Sequence, residues 1–484
     1  MNVRRNAGRA ALISKFPRGL VDVPEGQLYP PSPTAMLERF LALATAAPDA
    51  VALIDGERGG VTTRAQLADR IDGLAARFTG AGFRDNDVVA IQLPNSLDFI
   101  AAFGAILKQR LVAILIDRDA TETEVGKILG HFSARGLVYR SGGEVRISAR
   151  QAARIGVPER ARLIKLTSGS TGMPKGIVAT EANLLADCLN ICATMGIRAD
   201  DVNLGAIPMS HSYGFSNLVT PLLVQGTPIV ISNDYLPQSV MNLCNRFACT
   251  VAPLIPMVFD HLIAAAAGEF STVRTFISAG APLPPLVSRT FRERFGTAIH
   301  TFYGCSECGG ITYDRDGAAV ERGTVGRAMD NVRLTSERGR LTVRGENVSL
   351  GYLHDAATFE PFERGRFVAD DLIELRGDGE VAITGRASEL INTAGKKVNP
   401  REVEQVLLQI EGVRQVKVYG EPAGARGEVV AAAVVASPDV TREQIRAWCR
   451  EHLSLHKVPR IVKLIESIPL DDRGKVKWTA LAAL

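Results

Sequence analysis

Leu166-Thr-Ser-Gly-Ser-Thr-Gly-Met-Pro-Lys-Gly176 is the most informative stretch of this 484-residue chain. It follows an apolar run typical of a buried strand, and it holds three glycines, four hydroxyl side chains and one lysine. Glycines let a backbone approach a ligand closely, hydroxyls and amides donate hydrogen bonds to phosphate oxygens, and a lysine supplies positive charge. A Walker A loop would have serine or threonine after its lysine, whereas Gly176 follows Lys175 here. A flexible surface turn is the alternative, but this composition at a strand end favours phosphate binding.

Helical periodicity alternates with short apolar runs on both sides of this loop. Ala35–Thr45 and Leu97–Lys108 repeat their apolar residues as amphipathic helices do. Strands are predicted at Asp87–Leu93, Leu163–Thr167, Pro228–Ile231 and Thr275–Ser278. Helices between buried strands indicate an α/β fold.

The C-terminal part of the chain has a different pattern. Strands are predicted at Val381–Thr384, Val413–Tyr419, Val429–Ala436 and Ile461–Ile465. Helices are predicted over Pro400–Ile410 and from a capping box at Thr441 and Gln444 to His452. We therefore expect a large N-terminal domain of mixed sheets flanked by helices, followed by a small α+β C-terminal domain.

Composition excludes several classes of protein. Hydrophobic residues make up 46% of the chain and charged residues 22%, the balance of an ordinary globular protein. The formal charge of +4 is spread along the sequence without a concentrated basic run, so nucleic-acid binding is not expected. No stretch approaches the roughly 18 to 20 apolar residues of a membrane helix.

Cysteine usage points to a reducing compartment. The chain has 7 cysteines, an odd number, and its arginine-rich start lacks the apolar run of a secretory signal. We therefore predict a cytoplasmic protein whose residues 1–30 form a loosely ordered tail. Cys305 and Cys308 have CxxC spacing, but a four-thiolate zinc site needs a second pair, so metal or redox use is disfavoured.

The phosphate-binding stretch resembles the phosphate loop of the adenylate-forming superfamily, which includes acyl-CoA synthetases, nonribosomal peptide adenylation domains and firefly-type luciferases. Within this superfamily, the motifs of the chain most resemble those of the aryl- or acyl-CoA ligases. The resemblance implies that ATP is bound by Thr167, Ser168, Gly169, Ser170, Thr171, Gly172 and Lys175. It also gives Thr167 a part in catalysis and Thr171 a part in holding Mg²⁺.

Three further motifs of the N-terminal domain match the same superfamily. Phe302-Tyr-Gly-Cys-Ser-Glu307 resembles its Tyr-Gly-x-Thr-Glu motif, with serine where threonine is commoner. Ser278-Ala-Gly-Ala-Pro-Leu283 resembles the loop beside adenine, and Pro208-Met-Ser-His-Ser-Tyr-Gly214 resembles the segment whose histidine gates the acid site.

These motifs imply roles for individual residues. Glu307 would hold Mg²⁺, a task that suits a carboxylate. His211 would contact the acid's carboxylate and take part in catalysis. The nucleotide would be contacted by Gly280, Ala281, Pro282, Tyr303, Gly304 and Ser306, with Tyr303 on adenine and Ser306 on the α-phosphate. The acyl pocket would be lined by His211, Tyr213, Ala279 and Phe302. Phe302 either shortens that pocket or serves as packing.

The pattern departs from the superfamily where the ribose should bind. Gly365-Arg-Phe-Val-Ala-Asp-Asp-Leu372 aligns Asp371 with the ribose-binding aspartate, and Arg386 with an arginine that also reaches the ribose. Ala369 and Asp370 replace the usual Thr-Gly, and Ser388 stands at the hinge where Asp or Lys is usual. A hinge needs only to absorb backbone torsion, so serine does not forbid rotation.

The resemblance also sets the domains and the second half of the active site. The N-terminal adenylation domain is expected over residues 1–385 and a mobile C-terminal domain over 386–484. Asn392-Thr-Ala-Gly-Lys-Lys-Val-Asn-Pro-Arg-Glu-Val-Glu404 resembles the loop that enters the site for thioester formation, with Gly395 and Lys396 beside the pantetheine tunnel. Lys475, in Leu470-Asp-Asp-Arg-Gly-Lys-Val476, would stabilise charge in the adenylation transition state.

The predicted enzyme is therefore an AMP-forming acid–thiol ligase that uses ATP and Mg²⁺. A carboxylic acid, aryl or medium acyl, would become acyl-AMP and then a thioester of CoA. Transfer to a carrier-protein pantetheine or to an amine remains open, as does a non-catalytic nucleotide-binding homologue. Oligomerisation stays open too. Amino acids are disfavoured because Met209–Phe215 contains no aspartate to bind their ammonium group.

Overall fold

A computed structural model describes residues 35–152, 156–167, 174–265, 267–393, 396–422, 428–469, 476–477 and 480–481. The chain divides into two compact units. The first unit consists of Met1–Arg322, Arg327–Arg333 and Arg344–Phe367, and the second of Gly323–Gly326, Leu334–Val343 and Val368–Leu484. The domain boundary at residue 385 was set by the expected hinge and stays a prediction.

Two large mixed sheets form the first unit in the part of the chain that the structure describes. One has nine strands in the order Arg327–Ala328, Gly309–Tyr313, Ile299–Cys305, Thr275–Ser278, Val251–Leu254, Asn203–Gly205, Ile229–Ile231, Val51–Asp55 and Val61–Thr63. The other has eight in the order Phe359–Pro361, Gly351–Leu353, Lys175–Thr180, Ala161–Thr167, Val112–Leu115, Val88–Gln92, Gly136–Ser141 and Glu144–Ala149. Central strands of both sheets are parallel and read as nearly continuous apolar runs, as expected where both faces are buried.

Helices connect and cover these strands. Their bounds are Met36–Ala46, Arg64–Gly80, Leu97–Lys108, Glu122–His131, Glu181–Met195, Ser212–Gly214, Thr220–Gln225, Pro237–Arg246, Pro256–Ala265 and Pro285–Phe295, with a π-helical turn at Phe215–Val219. Several helices begin where a hydroxyl side chain accepts a hydrogen bond from an otherwise unpaired backbone N–H. Thr63, Thr121 and Thr180 each do so within a capping box.

Each large sheet has its own apolar core. Beside the nine-stranded sheet, the rings of Phe259, Phe276 and Phe291 pack with centroid separations of 5.0–6.1 Å, mostly edge to face. Beside the eight-stranded sheet, Phe132 packs with the aliphatic side chains of the parallel strands. These cores fix the strand ends from which the site residues project.

The second unit is a smaller α+β assembly. It has a four-stranded sheet in the order Arg333–Glu337, Arg340–Arg344, Arg366–Leu375 and Val381–Arg386, of which a few terminal residues belong to the first unit. It also has a hairpin of Ile391–Thr393 with Lys396–Val398, and a sheet of Val413–Pro422, Glu428–Ala436 and Ile461–Leu464. The helices are Pro400–Leu407 and Arg442–His452, with 3-10 turns at Ala387–Glu389 and Leu455–Lys457.

The predicted fold class is confirmed. The helix Leu97–Lys108 and the strand Thr275–Ser278 have the predicted bounds, and Thr441 with Gln444 forms the predicted capping box. Other elements differ by a few residues at their ends. The strand predicted at Val381–Thr384 continues to Arg386, because it pairs there with the strand that carries Asp371. Among the described residues, no helix is both long enough and apolar enough to cross a membrane.

Candidate active site

The ends of the predicted phosphate loop lie side by side. The strands Ala161–Thr167 and Lys175–Thr180 are antiparallel, and Thr167 pairs with Lys175. The Thr167 hydroxyl donates to the Lys175 carbonyl over 3.3 Å. The loop itself, with the predicted residues Ser168, Gly169, Ser170, Thr171 and Gly172, lies outside the described residues. The hairpin therefore holds Thr167 and Lys175 at the base of that loop.

Lys175 and Glu307 are brought together through a tyrosine. The Tyr352 hydroxyl donates to Glu307 Oε1 over 2.8 Å, and Lys175 Nζ lies 5.2 Å from the centroid of the Tyr352 ring. Tyr352 reaches this position because its strand pairs with the one that begins at Lys175. Burial, together with the Glu307 carboxylate, raises the pKa of the Tyr352 hydroxyl, so this group remains a donor. The arrangement links the predicted phosphate-binding cation to the predicted Mg²⁺-binding carboxylate.

Ser306 lies next to the segment predicted to hold the acid. The Ser212 hydroxyl donates to Ser306 Oγ over 2.8 Å. Ser212 directly follows His211, and Ser306 directly precedes Glu307. The predicted α-phosphate residue and the predicted acid-site histidine thus belong to segments in direct contact.

His211 is oriented by a carboxylate. Its Nε2 lies 3.0 Å from Asp117 Oδ2, and both side chains are about one-third exposed. Asp117 follows the strand Val112–Leu115 at its carboxyl end, where the functional groups of parallel sheets collect. A carboxylate in this position fixes the ring orientation of the histidine.

Aromatic side chains form the predicted acyl pocket. The rings of Tyr213 and Phe302 lie 5.9 Å apart between centroids. The Tyr213 hydroxyl donates to the Ile277 carbonyl over 2.9 Å and lies 3.3 Å from the Leu254 carbonyl. Burial raises the pKa of this hydroxyl. Phe302 is only 6% exposed, and a Cβ at Gly310 would come within 3.0 Å of its ring. Both aromatic rings are therefore held firmly by their surroundings.

The predicted adenine-contacting residues follow two adjacent parallel strands. Thr275–Ser278 pairs with Ile299–Cys305 and leads into buried Ala279, then Gly280, Ala281 and Pro282. Gly280 has φ +88°, a left-handed conformation that favours glycine. Tyr303 is half-buried on the neighbouring strand. A Cβ at Gly304 would lie 2.3 Å from the Gly309 carbonyl, so the turn there requires glycine.

The second unit holds the predicted ribose-binding residues as a pair. Asp371 and Arg386 are partners across antiparallel strands, and Arg386 Nε donates to Asp371 Oδ1 over 3.1 Å. Asp370 accepts from the backbone N–H and the hydroxyl of Ser388. Lys396 is exposed in the hairpin Ile391–Thr393 with Lys396–Val398. Gly395 and Lys475 lie outside the described residues.

Comparison with known proteins decides the family. The model named "AMP-binding enzyme" matches residues 40–353, well over half of the chain, and "AMP-binding enzyme C-terminal domain" matches residues 402–475. The chain belongs to the AMP-binding enzyme family. The resemblance to adenylate-forming enzymes is thereby confirmed.

Relatives of this AMP-binding enzyme include several CoA ligases. It is 27% identical to feruloyl-CoA synthase of Amycolatopsis sp over 90% of this chain and 95% of that protein. It is 27% identical to 2-succinylbenzoate–CoA ligase of Bacillus cereus over 85% of this chain and 91% of that protein.

Solved structures share its fold. ATP-bound MatB from Rhodopseudomonas palustris has a TM-score of 0.79 at 23% identity, covering 93% of this chain and 98% of that one. The o-succinylbenzoate CoA synthetase of Bacillus subtilis, in complex with its acyl-adenylate intermediate, has a TM-score of 0.77 at 23% identity. The match covers 92% of this chain and 97% of that one.

The described residues fit Mg²⁺ that arrives with ATP. Within the described ranges, no group of three or more His, Cys, Asp or Glu side chains is placed to enclose a metal ion. Mg²⁺ needs no such cage, because it keeps several waters and binds one or two carboxylates together with substrate phosphates. The hard oxygens of Glu307, beside Lys175 and Tyr352, suit that mode of binding.

Sequence reasoning missed five residues of this AMP-binding enzyme that contact predicted site residues or the segments that carry them. They are Asp117, Lys165, Asp187, Ser212 and Tyr352. Position at a strand end could have indicated Asp117, and a lone charge within an apolar run could have indicated Lys165 and Asp187. Ser212 and Tyr352 carry no such signal, because their contacts depend on tertiary pairing.

The sulfurs of Cys305 and Cys308 lie 3.2 Å apart as free thiols.

Proposed function

We propose that this protein is an ATP-dependent, AMP-forming acid–thiol ligase. It activates an aryl or medium-sized acyl acid as acyl-AMP, releases pyrophosphate, and transfers the acyl group to CoA. The contact between Ser212 and Ser306 carries the proposal, since it joins the acid-site segment to the α-phosphate residue. Adenylation requires that same juxtaposition of carboxylate and α-phosphorus.

The adenylation step forms one bond and breaks one. A carboxylate oxygen of the acid attacks the α-phosphorus, and the bond from that phosphorus to the pyrophosphate oxygen breaks. Glu307 binds the Mg²⁺ of Mg·ATP, which offsets phosphate charge, while Lys175 and Lys475 add positive charge and Ser306 donates to the α-phosphate. Catalysis is then positioning and charge neutralisation rather than covalent chemistry.

The acid is oriented by His211 and accommodated between aromatic side chains. His211, oriented by Asp117, contacts the carboxylate of the bound acid. Tyr213, Phe302 and Ala279 supply an apolar wall, which favours an apolar acyl or aryl group. Its relatives include feruloyl-CoA synthase and 2-succinylbenzoate–CoA ligase, which supports an aromatic acid as substrate.

Transfer to CoA is the second step. The CoA sulfur attacks the acyl carbonyl carbon, and the bond from that carbon to the bridging oxygen breaks. AMP leaves with that oxygen, which came from the carboxylate of the acid, and the thiol proton is lost to solvent. Gly395 and Lys396 flank the pantetheine arm, and residues 386–484 rotate about Ser388 between the two steps. Asp371 and Arg386 hold the ribose hydroxyls as charged hydrogen-bonding partners.

The seven free cysteines suit the reducing cytoplasm that we propose as the location of the protein.

Pyrophosphate–ATP exchange over a panel of carboxylic acids tests the adenylation step. We expect acid-dependent exchange that requires Mg²⁺ and is greatest with an aryl or medium acyl acid. Binding of ATP without exchange for any acid would instead identify a non-catalytic nucleotide-binding homologue.

Product analysis tests the acceptor. The acid that exchanges best is incubated with ATP and, in parallel reactions, with CoA, a phosphopantetheinyl carrier protein, or an amine. We expect the CoA thioester as the main product. A carrier-bound thioester or an amide in its place would overturn the assignment of CoA.

A further inference from the structure

Two charged residues in the interior of the first unit have no part in the proposed reaction. Lys165 is 5% exposed in the strand Ala161–Thr167, and Asp187 is 2% exposed in the helix Glu181–Met195. Burying a charge is costly unless hydrogen bonds and an opposite charge compensate it. Their positions in an apolar strand and a packed helix therefore need a structural reason.

Both side chains contact the same short segment of backbone. Lys165 Nζ donates to the Ser306 carbonyl over 3.3 Å. Asp187 Oδ1 accepts from the Gly310 N–H over 2.8 Å, and Asp187 Oδ2 accepts from the Ser216 hydroxyl over 2.7 Å. Residues 306–308 form the turn between the strands Ile299–Cys305 and Gly309–Tyr313, and we call this turn together with the first two residues of the second strand the 306–310 turn. The two charges thus hold the two ends of the turn that carries Ser306 and Glu307.

The turn is built to fit closely against Asp187. Gly309 has φ +66°, and a Cβ there would lie 2.2 Å from the Asp187 carboxylate. Glycine is required on both counts, because a side chain would be strained and would collide with the carboxylate. A smaller residue at position 187 would therefore leave a gap beside the turn as well as an unpaired N–H.

The carbonyls of Glu307 and Cys308 accept hydrogen bonds from a second segment of the chain. The Ser349 N–H donates to the Glu307 carbonyl over 2.8 Å, and Asn347 Nδ2 donates to the Cys308 carbonyl over 2.6 Å. The backbone is thus satisfied by other elements, while the Ser306 and Glu307 side chains contact Ser212 and Tyr352. Misplacing this backbone would displace both functional side chains together.

The side chains of the two buried residues differ in the sign of their charge. Burial raises the pKa of Asp187, and the positive charge of Lys165 opposes that shift. Buried groups of opposite charge can often be replaced by apolar residues of similar volume without loss of stability, so stability alone does not account for these charges. Their common contact with the 306–310 turn offers a different reason.

We propose that Lys165 and Asp187 are positioning residues that hold Ser306 and Glu307 for adenylation. Lys165 fixes the start of the turn through the Ser306 carbonyl, and Asp187 fixes its end through the Gly310 N–H. This inference rests on the proposed function, because that function makes the placement of Ser306 and Glu307 matter.

The test compares Lys165→Met, Asp187→Asn and the double variant with the wild-type chain. We expect each variant to lower kcat/KM for Mg·ATP in pyrophosphate exchange by on the order of 100-fold, the cost of a misplaced group about 1 Å from its working position. A positional role also predicts faster labelling of Cys305 and Cys308 by a thiol reagent in the absence of nucleotide, located by peptide mass spectrometry. Cys308 lies in the turn and Cys305 directly precedes it, so their labelling reports the order of the turn.

Asp87→Asn provides the matched control. Asp87 is also buried and pairs with Arg135 over 2.8 Å, at a site away from the turn. This variant is expected to lower the melting temperature without changing exchange kinetics or the labelling of Cys305 and Cys308.

The double variant keeps the test decisive where Lys165→Met does not fold, because it removes both buried charges at once. A folded double variant with wild-type exchange and wild-type labelling of Cys305 and Cys308 would overturn the proposal. Absence of exchange in the wild-type chain would be a failure of the proposed function instead. The thiol-labelling comparison would still decide whether Lys165 and Asp187 hold the turn.

Discussion

Ser388 and Asp370 are hydrogen-bonded partners in the second unit. The Ser388 N–H donates to Asp370 Oδ1 over 3.2 Å, and the Ser388 hydroxyl donates to Asp370 Oδ2. These are two of the positions at which the sequence departs from the adenylate-forming pattern. Position 388, where the superfamily usually has Asp or Lys, has an uncharged side chain here, and the Asp370 carboxylate is in contact with it.

Asp370→Ala should change the balance of the two half-reactions. If the contact stabilises one hinge conformation, its loss shifts the population toward the other. One half-reaction should then slow relative to the other, and the ratio of their rates should change by about 5-fold for one hydrogen bond near 1 kcal/mol. Adenylation is measured by pyrophosphate exchange, and thioester formation from supplied acyl-AMP.

Ser388→Ala is the matching variant, because it removes the hydroxyl from the same contact. It should shift the two half-reactions in the same directions as Asp370→Ala. Equal losses in both half-reactions, or no change in either, would contradict a role in hinge position.

Tyr352→Phe should weaken the use of Mg·ATP. The variant keeps the ring beside Lys175 but removes the hydroxyl that donates to Glu307. Hydrogen bonds to charged groups are worth about 1.5–3 kcal/mol, so the KM for Mg·ATP should rise by about 10-fold. Exchange is titrated with Mg²⁺ at fixed ATP, and Tyr313→Phe, on the strand Gly309–Tyr313, serves as a control. An unchanged Mg²⁺ requirement would show that the contact does not position Glu307.

Asp117→Asn should impair use of the acid rather than of ATP. The carboxylate that orients His211 would be replaced by an amide that carries no charge. We expect kcat/KM for the acid to fall by about 10-fold, a modest part of the usual contribution of an oriented acid–base group. The KM for ATP should stay the same.

Asp119→Asn is a suitable control for this prediction. Its side chain is 78% exposed and pairs with Arg118. A comparable loss of acid utilisation in both variants would indicate a general effect of negative charge rather than orientation of His211.

Phe302→Leu should broaden the range of acids. The ring is buried against Tyr213, so a smaller side chain enlarges the predicted acyl pocket. We expect kcat/KM for bulkier acids to rise relative to the preferred acid by about 10-fold, in line with the discrimination of apolar pockets. Phe291→Leu, at a core position beside the nine-stranded sheet, should lower stability but leave the acid profile unchanged. The same profile in wild type and Phe302→Leu would assign Phe302 to packing.

Lys475→Ala should separate the two half-reactions. Loss of a cation that stabilises the transition state should reduce pyrophosphate exchange by on the order of 100- to 1,000-fold. Thioester formation from supplied acyl-AMP should persist, because no pyrophosphate bond is broken in that step. Lys477→Ala tests whether loss of any nearby lysine has the same effect. Equal loss of exchange and thioester formation in Lys475→Ala would contradict its assigned role.

Local patterns were sufficient for most of the fold. The apolar residues of Leu97–Lys108 and the apolar run of Thr275–Ser278 identify a helix and a strand, because their burial follows from short-range periodicity. The capping box at Thr441 likewise depends on neighbours three residues apart. Sheet order was not predictable in this way, since the pairing of Gly351–Leu353 with Lys175–Thr180 joins distant parts of the chain.

The sequence by itself determined the adenylate-forming family and the ordered motifs that contain Lys175, Ser306 and Glu307. Such motifs are contiguous, and their chemistry is visible in residue types and spacing. Only the tertiary structure decided that Tyr352 contacts Glu307, that Asp117 orients His211, and that Lys165 and Asp187 hold the Ser306–Glu307 turn. Those contacts depend on strand register and helix packing, which arise from interactions between residues far apart in the chain.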